Sequence, residues 1–359
     1  MSTNDAIGLL RKYKQRLDPV LEKYFQKKLK QAKKIDPLSE KAVELIREFT
    51  ISGGKRIRPA VMYYGYLAAG GEDDERIVEV SMSIEMTHSF LLIHDDIIDR
   101  DETRHGISTL HEAYKEIAKK FFPKTNASHF GNSMAMIAGD MAASMGSEII
   151  FNADYKPEKI VKALDRLQHI IYVTIPGEMV DVVLGAQGRA TEEDIIRMYE
   201  GKTARYTFEG PAHLGAVFAG AKDDVLKNFT DYSLPLGSAF QIRDDILGVF
   251  GDEKKLGKPV GSDIIEGKQT MLVVKALENA TKVQEKRFRE LFGKEDITFD
   301  EIDDFRKIIE DTGSLKIAND MSERFIKESL ESLSKIDIKN DQAKMFFEGI
   351  AQYIIERQH

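Results

Sequence analysis

Apolar residues recur three and four positions apart almost throughout this 359-residue chain, and that period decides most of what it can fold into. Leu9, Leu10, Tyr13 and Leu17 share one helical face, as do Ala42, Leu45, Ile46 and Phe49, and again Ile195, Met198 and Tyr199. Alternation at period two, the mark of a half-buried strand, is scarce. Two β-branched runs, "IIYVTIP" at 170–176 and "MLVV" at 271–274, pass for strands locally, yet each lies inside a longer helical pattern and is read as helix. The expected class is all-α. Breakers at Pro19, Asp36-Pro37, Gly53-Gly54, Gly70-Gly71, Pro123, Lys156-Pro157, 185–188 and 257–261 divide the chain into about ten to thirteen helices. None of these breaks is a long flexible linker, and no repeat or low-complexity tract is visible. The reading is therefore one continuous domain at 37–359 preceded by a helical arm at 1–36.

Composition narrows the function. With 42% hydrophobic residues a sizeable core is assured, and a formal charge of -8 argues against nonspecific affinity for nucleic acid. Residues 1–34 carry ten Lys or Arg against three Asp or Glu, a basic face that reads first as a solvated helix surface. The absence of cysteine excludes disulfides, thiolate zinc sites and thiol redox chemistry. The start "MSTNDAIGLLRKYKQ" lacks the apolar core of a signal peptide, and no uncharged apolar run approaches the roughly 20 residues of a membrane span. The expectation is a cytoplasmic protein without a transmembrane segment.

Asp-Asp occurs five times. Three pairs, Asp73-Asp74, Asp223-Asp224 and Asp303-Asp304, sit in polar or turn contexts that solvent explains. The other two are flanked by apolar residues, in "FLLIHDDIID" and "AFQIRDDILGVF", where uncompensated charge is costly. Asp95 and Asp99 are four apart and Asp96 and Asp99 three apart, so their carboxylates can project from one helix face and share a cation. A hard divalent ion such as magnesium prefers oxygen ligands and commonly bridges carboxylates to phosphate. Cationic partners are spread along the chain: Lys55, Arg56 and Arg58 in "GGKRIRP", Arg104 in "DETRHG", Lys202 in "EGKTA", Lys258 in "LGKPVGSD" and Lys268 in "EGKQT". Four of these five sites have a glycine directly before the lysine, as expected where backbone approaches a phosphate closely.

Together these motifs resemble the trans-isoprenyl diphosphate synthases, or polyprenyl synthetases, over nearly the whole chain after about residue 40. "GGKRIRP", "DDIIDRDETRHG", "GKTA" and "QIRDDILGVFGDEKKLGKPVGSD" followed by "EGKQT" stand in that family's order, and "HFGNSMAMIAGD" and "GKTARYTFEGP" look most like archaeal members. The resemblance implies a helical barrel around a deep central cavity, the isoprenoid synthase fold, usually in a homodimer. It implies that Asp95, Asp99 and Asp244 bind Mg2+ with support from Asp96 and Asp245. Arg104, Lys202 and Lys258, with Lys268 nearby, would hold an allylic diphosphate, whether dimethylallyl, geranyl or farnesyl. Lys55, Arg58 and His88, with Arg56 and His105 in the same motifs, would hold isopentenyl diphosphate, and Thr203 and Gln241 would line the reacting centre. Carbon–oxygen cleavage leaves an allylic cation and pyrophosphate, so fixed positive charge and a water-poor wall of Phe90, Leu91 and Leu92 suit the chemistry.

Three positions depart from the family's pattern. His105 stands where a second arginine is usual, Gly248 replaces the last aspartate of the second motif, and Glu178 stands where glutamine is usual. Phe90, five residues before Asp95 and about 7.5 Å along the helix, followed by Leu91, implies a floor suited to a twenty-carbon product, geranylgeranyl diphosphate. Farnesyl or longer products are the alternatives. A terpene cyclase or head-to-head synthase would not need "GGKRIRP" and the second aspartate motif together, and a noncatalytic regulatory subunit would have lost ligands that this chain keeps.

Overall fold

The computed structural model describes residues 3–251 and 261–356, the side chains of Asn4 and Ser262 apart. The expected all-α architecture is present: sixteen α-helices and one π-helical segment among the described residues, with a single two-stranded hairpin. The count exceeds the expected ten to thirteen because several C-terminal helices begin at threonine caps that no proline announces. Thr270, Thr281 and Thr298 each accept a hydrogen bond from the third residue of the helix that follows. Both runs read as helix against their β-branched content are helical. Pro19, expected as a stop, lies inside the first helix, α1 (Thr3–Ala32). One lost backbone bond is outweighed there by fully buried Leu17, Leu21 and Phe25, each contributing about 1.5–3 kcal/mol of burial.

The chain clusters into two compact units, one comprising 8–167 with 214–220, the other 1–7, 168–213 and 221–359. In the first unit α2 (Pro37–Ile51), α3 (Ile57–Ala68), α4 (Glu75–Ile98), α5 (Leu110–Phe121) and α6 (Ala127–Phe151) follow α1. Most of the segment expected as an appended arm is packed here, with the Tyr13 and Ser81 hydroxyls sharing a hydrogen bond. Helix α4 is buried on every side from Val80 to Thr87, as a helix enclosed by others is. It packs against α3 and most extensively against α6, whose Gly139 and Gly146 let the two backbones approach. A Cβ on Gly146 would lie 3.0 Å from the Ser83 carbonyl, and one on Gly139 2.4 Å from the His94 ring. This close seam fixes the last turns of α4, which carry the first aspartate motif.

Helix α7 (Pro157–Gln187) is followed by α8 (Glu192–Tyr199), the π segment (Glu200–Glu209), α9 (Gly210–Ala219) and α10 (Asp223–Phe250). Then come α11 (Ser262–Ile265), α12 (Met271–Asn279), α13 (Lys282–Leu291), α14 (Phe299–Asp311), α15 (Ser314–Leu333) and α16 (Asp341–Glu356). In the second unit α10 is central, lying between α15 and the π segment. Tyr199, Ile242, Ile246, Met271, Phe288 and Phe305 belong to one buried cluster beneath the second aspartate motif.

Helices α6 and α7 are each long and apolar enough, by length and composition, to cross a membrane. The sequence expectation of no such segment rested on unbroken uncharged runs, whereas a helix-length window tolerates an isolated charge or two. For α6 the packing against α4 and α5 accounts for this apolar character.

Candidate active site

In the first unit the chain leaves α4 through Arg100, held in the left-handed region at φ 56°, and returns as a hairpin of β1 (Thr103–Arg104) and β2 (Ile107–Ser108). His105 and Gly106, at φ 52° and 80°, form its two-residue turn, which demands positive φ at both positions. The hairpin brings Arg104 back over the acidic turn. Its Nε donates to Asp96 Oδ1 at 2.6 Å, its terminal nitrogen reaches Asp101 at 3.1 Å, and the same nitrogen lies 3.6 Å from Asp95.

Asp95 and Asp99 are partly exposed, while Asp96 is fully buried. Neighbours on a helix point about 100° apart, so the two members of an Asp-Asp pair cannot share a face. Burial corrects the expectation that Asp96 and Asp99 project together: Asp96 is enclosed while Asp99 is not, and burial pushes the Asp96 carboxyl up to about 6 against the pull of Arg104.

The "GGKRIRP" loop joins α2 to α3. Lys55 is exposed, and Arg58 donates to His88 Nε2 at 3.1 Å, so that nitrogen carries no proton. Burial, reinforced by Arg58, holds the His88 imidazole well below its ordinary range. Arg56 turns the other way. It is 3% exposed, and its guanidinium is engaged by Asp18, Glu85 and the Thr50 carbonyl, which makes it the anchor of the loop that presents Lys55 and Arg58. His105 lies against this loop, and a Cβ on Gly53 would fall 2.5 Å from its ring.

The second unit builds a parallel arrangement. Helix α7 and the π segment cross at two glycines, where a Cβ on Gly177 would lie 2.2 Å from the Lys202 nitrogen. That contact sets Lys202 over α7, with its ammonium 2.9 Å from Glu178 and 2.6 Å from Asp181. Glu178, at a position where glutamine was expected, is thus a charge partner of the "GKTA" lysine. The widened π turn, a form frequent at functional sites, also places Thr203 to donate to Gln241 Oε1 at 2.6 Å.

Gln241 in turn donates to Asp245 Oδ1 at 2.9 Å, and the Tyr199 hydroxyl donates to the other Asp245 oxygen while accepting from the Met271 backbone N–H at 2.9 Å. Asp244 is partly exposed and Asp245 is buried, the same division as at Asp95 and Asp96. Burial pushes the Asp245 carboxyl up to about 8 despite these donors, and the charges of Asp263 and Asp244 push in the same direction. Asp245, counted with the metal ligands from its motif, has both oxygens committed to the protein.

Lys268 pairs with Glu266 at 3.2 Å, and Lys258 lies outside the described residues. Phe90 is buried and meets His94 edge-on at 4.9 Å between ring centres, with Leu91 and Leu92 half-buried beside it. Tyr199, Asp181 and Asp263 escaped the sequence reading. Each owes its place to a partner far along the chain, and only the tyrosine carried a signal, as a lone hydroxyl on an apolar face.

Asp95 and Asp99 in the first unit, and Asp244 in the second, are partly exposed carboxylates, oxygen donors of the kind that a hard divalent cation such as magnesium takes. Of their buried neighbours, Asp96 is held by Arg104, and Asp245 by Gln241 and Tyr199.

Comparison with known proteins identifies the family. The polyprenyl synthetase family model matches residues 39–311. A geranylgeranyl diphosphate synthase of Saccharolobus solfataricus is 35% identical over 309 residues, 86% of this chain and 87% of that protein. A geranylfarnesyl diphosphate synthase of Aeropyrum pernix is 31% identical over 90% of this chain and 95% of its own. Among solved structures, a geranylgeranyl pyrophosphate synthase from Corynebacterium glutamicum, complexed with isoprenyl diphosphate and magnesium, superposes with a TM-score of 0.91 at 31% identity. That match covers 97% of this chain and 99% of the other. On the strength of these matches and of two acidic motifs built alike, the chain belongs to the polyprenyl synthetase family.

Proposed function

We propose that this protein is a trans-prenyltransferase that condenses isopentenyl diphosphate head-to-tail with an allylic diphosphate, giving a short polyprenyl diphosphate. The observation that carries the reading is the division of labour in both aspartate pairs. Asp95 and Asp244 stay accessible while Asp96 and Asp245 are buried and hydrogen-bonded. A merely solvated acidic face would have no need to bury its second carboxylate against a hydrogen-bond donor.

In this proposal Asp95, Asp99 and Asp244 hold magnesium, which when bound neutralises charge on the leaving diphosphate. Arg104, Lys202, Lys258 and Lys268 bind the allylic diphosphate, and Lys55, Arg58, His88 and His105 bind that of isopentenyl diphosphate. The allylic carbon–oxygen bond breaks, the double bond of isopentenyl diphosphate attacks the resulting cation, and the released proton passes to an oxygen of the departing pyrophosphate. Lys202 stabilises the charge growing on that pyrophosphate, Thr203 and Gln241 line the reacting carbons, and the apolar wall around Phe90 excludes water.

The expected product is geranylgeranyl diphosphate, and the geranylfarnesyl synthase among the relatives favours a longer chain as the second reading. We further propose a homodimer. Tyr172, Ile175, Met179, Val182 and Val183 recur at helical spacing along α7 and are all exposed, an apolar stripe that a second copy would cover.

Incubating the protein with labelled isopentenyl diphosphate and each of the three allylic primers, with magnesium or a chelator, and sizing the products tests the reading. Elongation that ignores chelation, or no elongation at all, rules it out, and the latter favours a regulatory subunit.

A further inference from the structure

Residues 1–34 hold ten Lys or Arg against three Asp or Glu, in a chain whose formal charge is -8. Four of those lysines share a face. Lys23, Lys27, Lys30 and Lys34 follow one another at intervals of four, three and four, and helical hydrogen bonding runs on past α1 through Lys33 and Lys34. Leu21, Phe25 and Ala32, each two residues from a member of the stripe and so half a turn round the helix, are buried. The lysines therefore point straight away from the core.

The protein does not neutralise this stripe. All four lysines are exposed, and none of them meets a carboxylate among the described residues. The acids nearest in sequence are engaged elsewhere, Asp18 with Lys14 and Arg56, Glu22 with Arg47, and Glu40 with Lys33. A solvated helix surface commonly intersperses the two signs, as α13 does with Glu285 and Arg289 paired four apart.

An apolar tip ends the stripe. Ile35 and Leu38, at the corner where α1 gives way to α2, are 73% and 70% exposed. A single exposed aliphatic needs no explanation, but two of them at the end of an uncompensated basic face roughly 16 Å long fit a bilayer surface, lysines among headgroup phosphates and aliphatics beneath. The phosphate backbone of a nucleic acid would suit the lysines and offer nothing to Ile35 and Leu38.

We propose that this face of α1, with Ile35 and Leu38, docks the protein on an anionic lipid bilayer. The proposal is independent of the prenyltransferase reading, since it uses no residue of that site and its test reads binding without turnover.

Sedimentation of the full-length protein with vesicles of phosphatidylcholine, alone or with about one third replaced by phosphatidylglycerol, tests it. Binding is expected to the anionic vesicles only, fading as salt is raised. Replacing Lys23, Lys27, Lys30 and Lys34 together by Gln is expected to weaken it by about 100-fold or more, and Ile35→Ser with Leu38→Ser by about 10-fold. Both variants should keep the wild-type melting temperature, all six positions being exposed. The chain contains no tryptophan, so Leu38→Trp supplies a single reporter, whose emission is expected to shift to the blue on anionic vesicles and to be quenched by brominated acyl chains.

No binding to anionic vesicles at low salt, or wild-type affinity in the lysine variant, overturns the proposal. So does Leu38→Trp emission that stays unshifted on vesicles that bind the protein. Binding to duplex DNA as tight as that to the vesicles, with no loss in Ile35→Ser with Leu38→Ser, assigns the face to nucleic acid instead.

Discussion

Gln241 donates its amide proton to Asp245 at 2.9 Å while its own oxygen accepts from Thr203, so one side chain ties the "GKTA" segment to the buried half of the second aspartate pair. The far oxygen of Asp245 is held by Tyr199. Tyr199→Phe leaves that oxygen and the Met271 N–H each without a partner, in a setting closed to water. The expected loss is about 1–3 kcal/mol of unfolding free energy in urea titration. A change within experimental error would mean that the hydroxyl is dispensable to this link.

Phe90→Ala is expected to lengthen the product, because the ring that meets His94 edge-on is the largest side chain one and a half turns before Asp95. Reverse-phase chromatography of the dephosphorylated products reads this directly. Unchanged chain lengths would leave Phe90 a packing residue alone.

The turn residue His105 is expected to give the KM for isopentenyl diphosphate a pH dependence. An imidazole has an ordinary pKa of about 6.5, and a bound diphosphate favours its protonated form. KM for isopentenyl diphosphate should rise as pH climbs past that range and should cease to do so in His105→Arg. Gly53→Ala, whose new methyl would push the His105 ring away, should raise the same KM at all pH values. Identical pH profiles for His105→Arg and the wild type would remove His105 from the site.

Charge placed on the exposed stripe of α7 should prevent pairing of copies. The wild type is expected to give dimers in sedimentation velocity, and Met179→Glu with Tyr172→Glu to give monomers. A variant that still sediments as a dimer would place the interface elsewhere.

Glu301 gives an acid-sensitive contribution to stability. Lys294 and the Thr298 cap hold its carboxyl down at about 2, below the ordinary 4.5. A depressed folded-state value stabilises the fold fully above the ordinary range, and that contribution disappears as pH falls towards 2. Glu301→Gln should therefore melt lower than the wild type at neutral pH and converge with it on acidification. Parallel melting curves across that window would contradict the assignment.

Much of the molecule was legible before any coordinates. The helical period gave the fold class, the apolar flanks singled out two of five Asp-Asp pairs, and the glycine-bearing basic motifs named Lys55, Arg58, Arg104 and Lys202. What the linear chain left open was the inside and outside of each motif. Only packing decided that Asp95 and Asp244 stay accessible while Asp96 and Asp245 are buried, that Arg56 anchors its loop from beneath, and that Glu178 pairs with Lys202. The same holds for Asp263, which fills the space beside Gly248 from a different helix. The reason is the range of the forces involved. A helix relates a residue to those within a turn, so spacing predicts a face, whereas which face is buried depends on segments far away whose approach has no local signature.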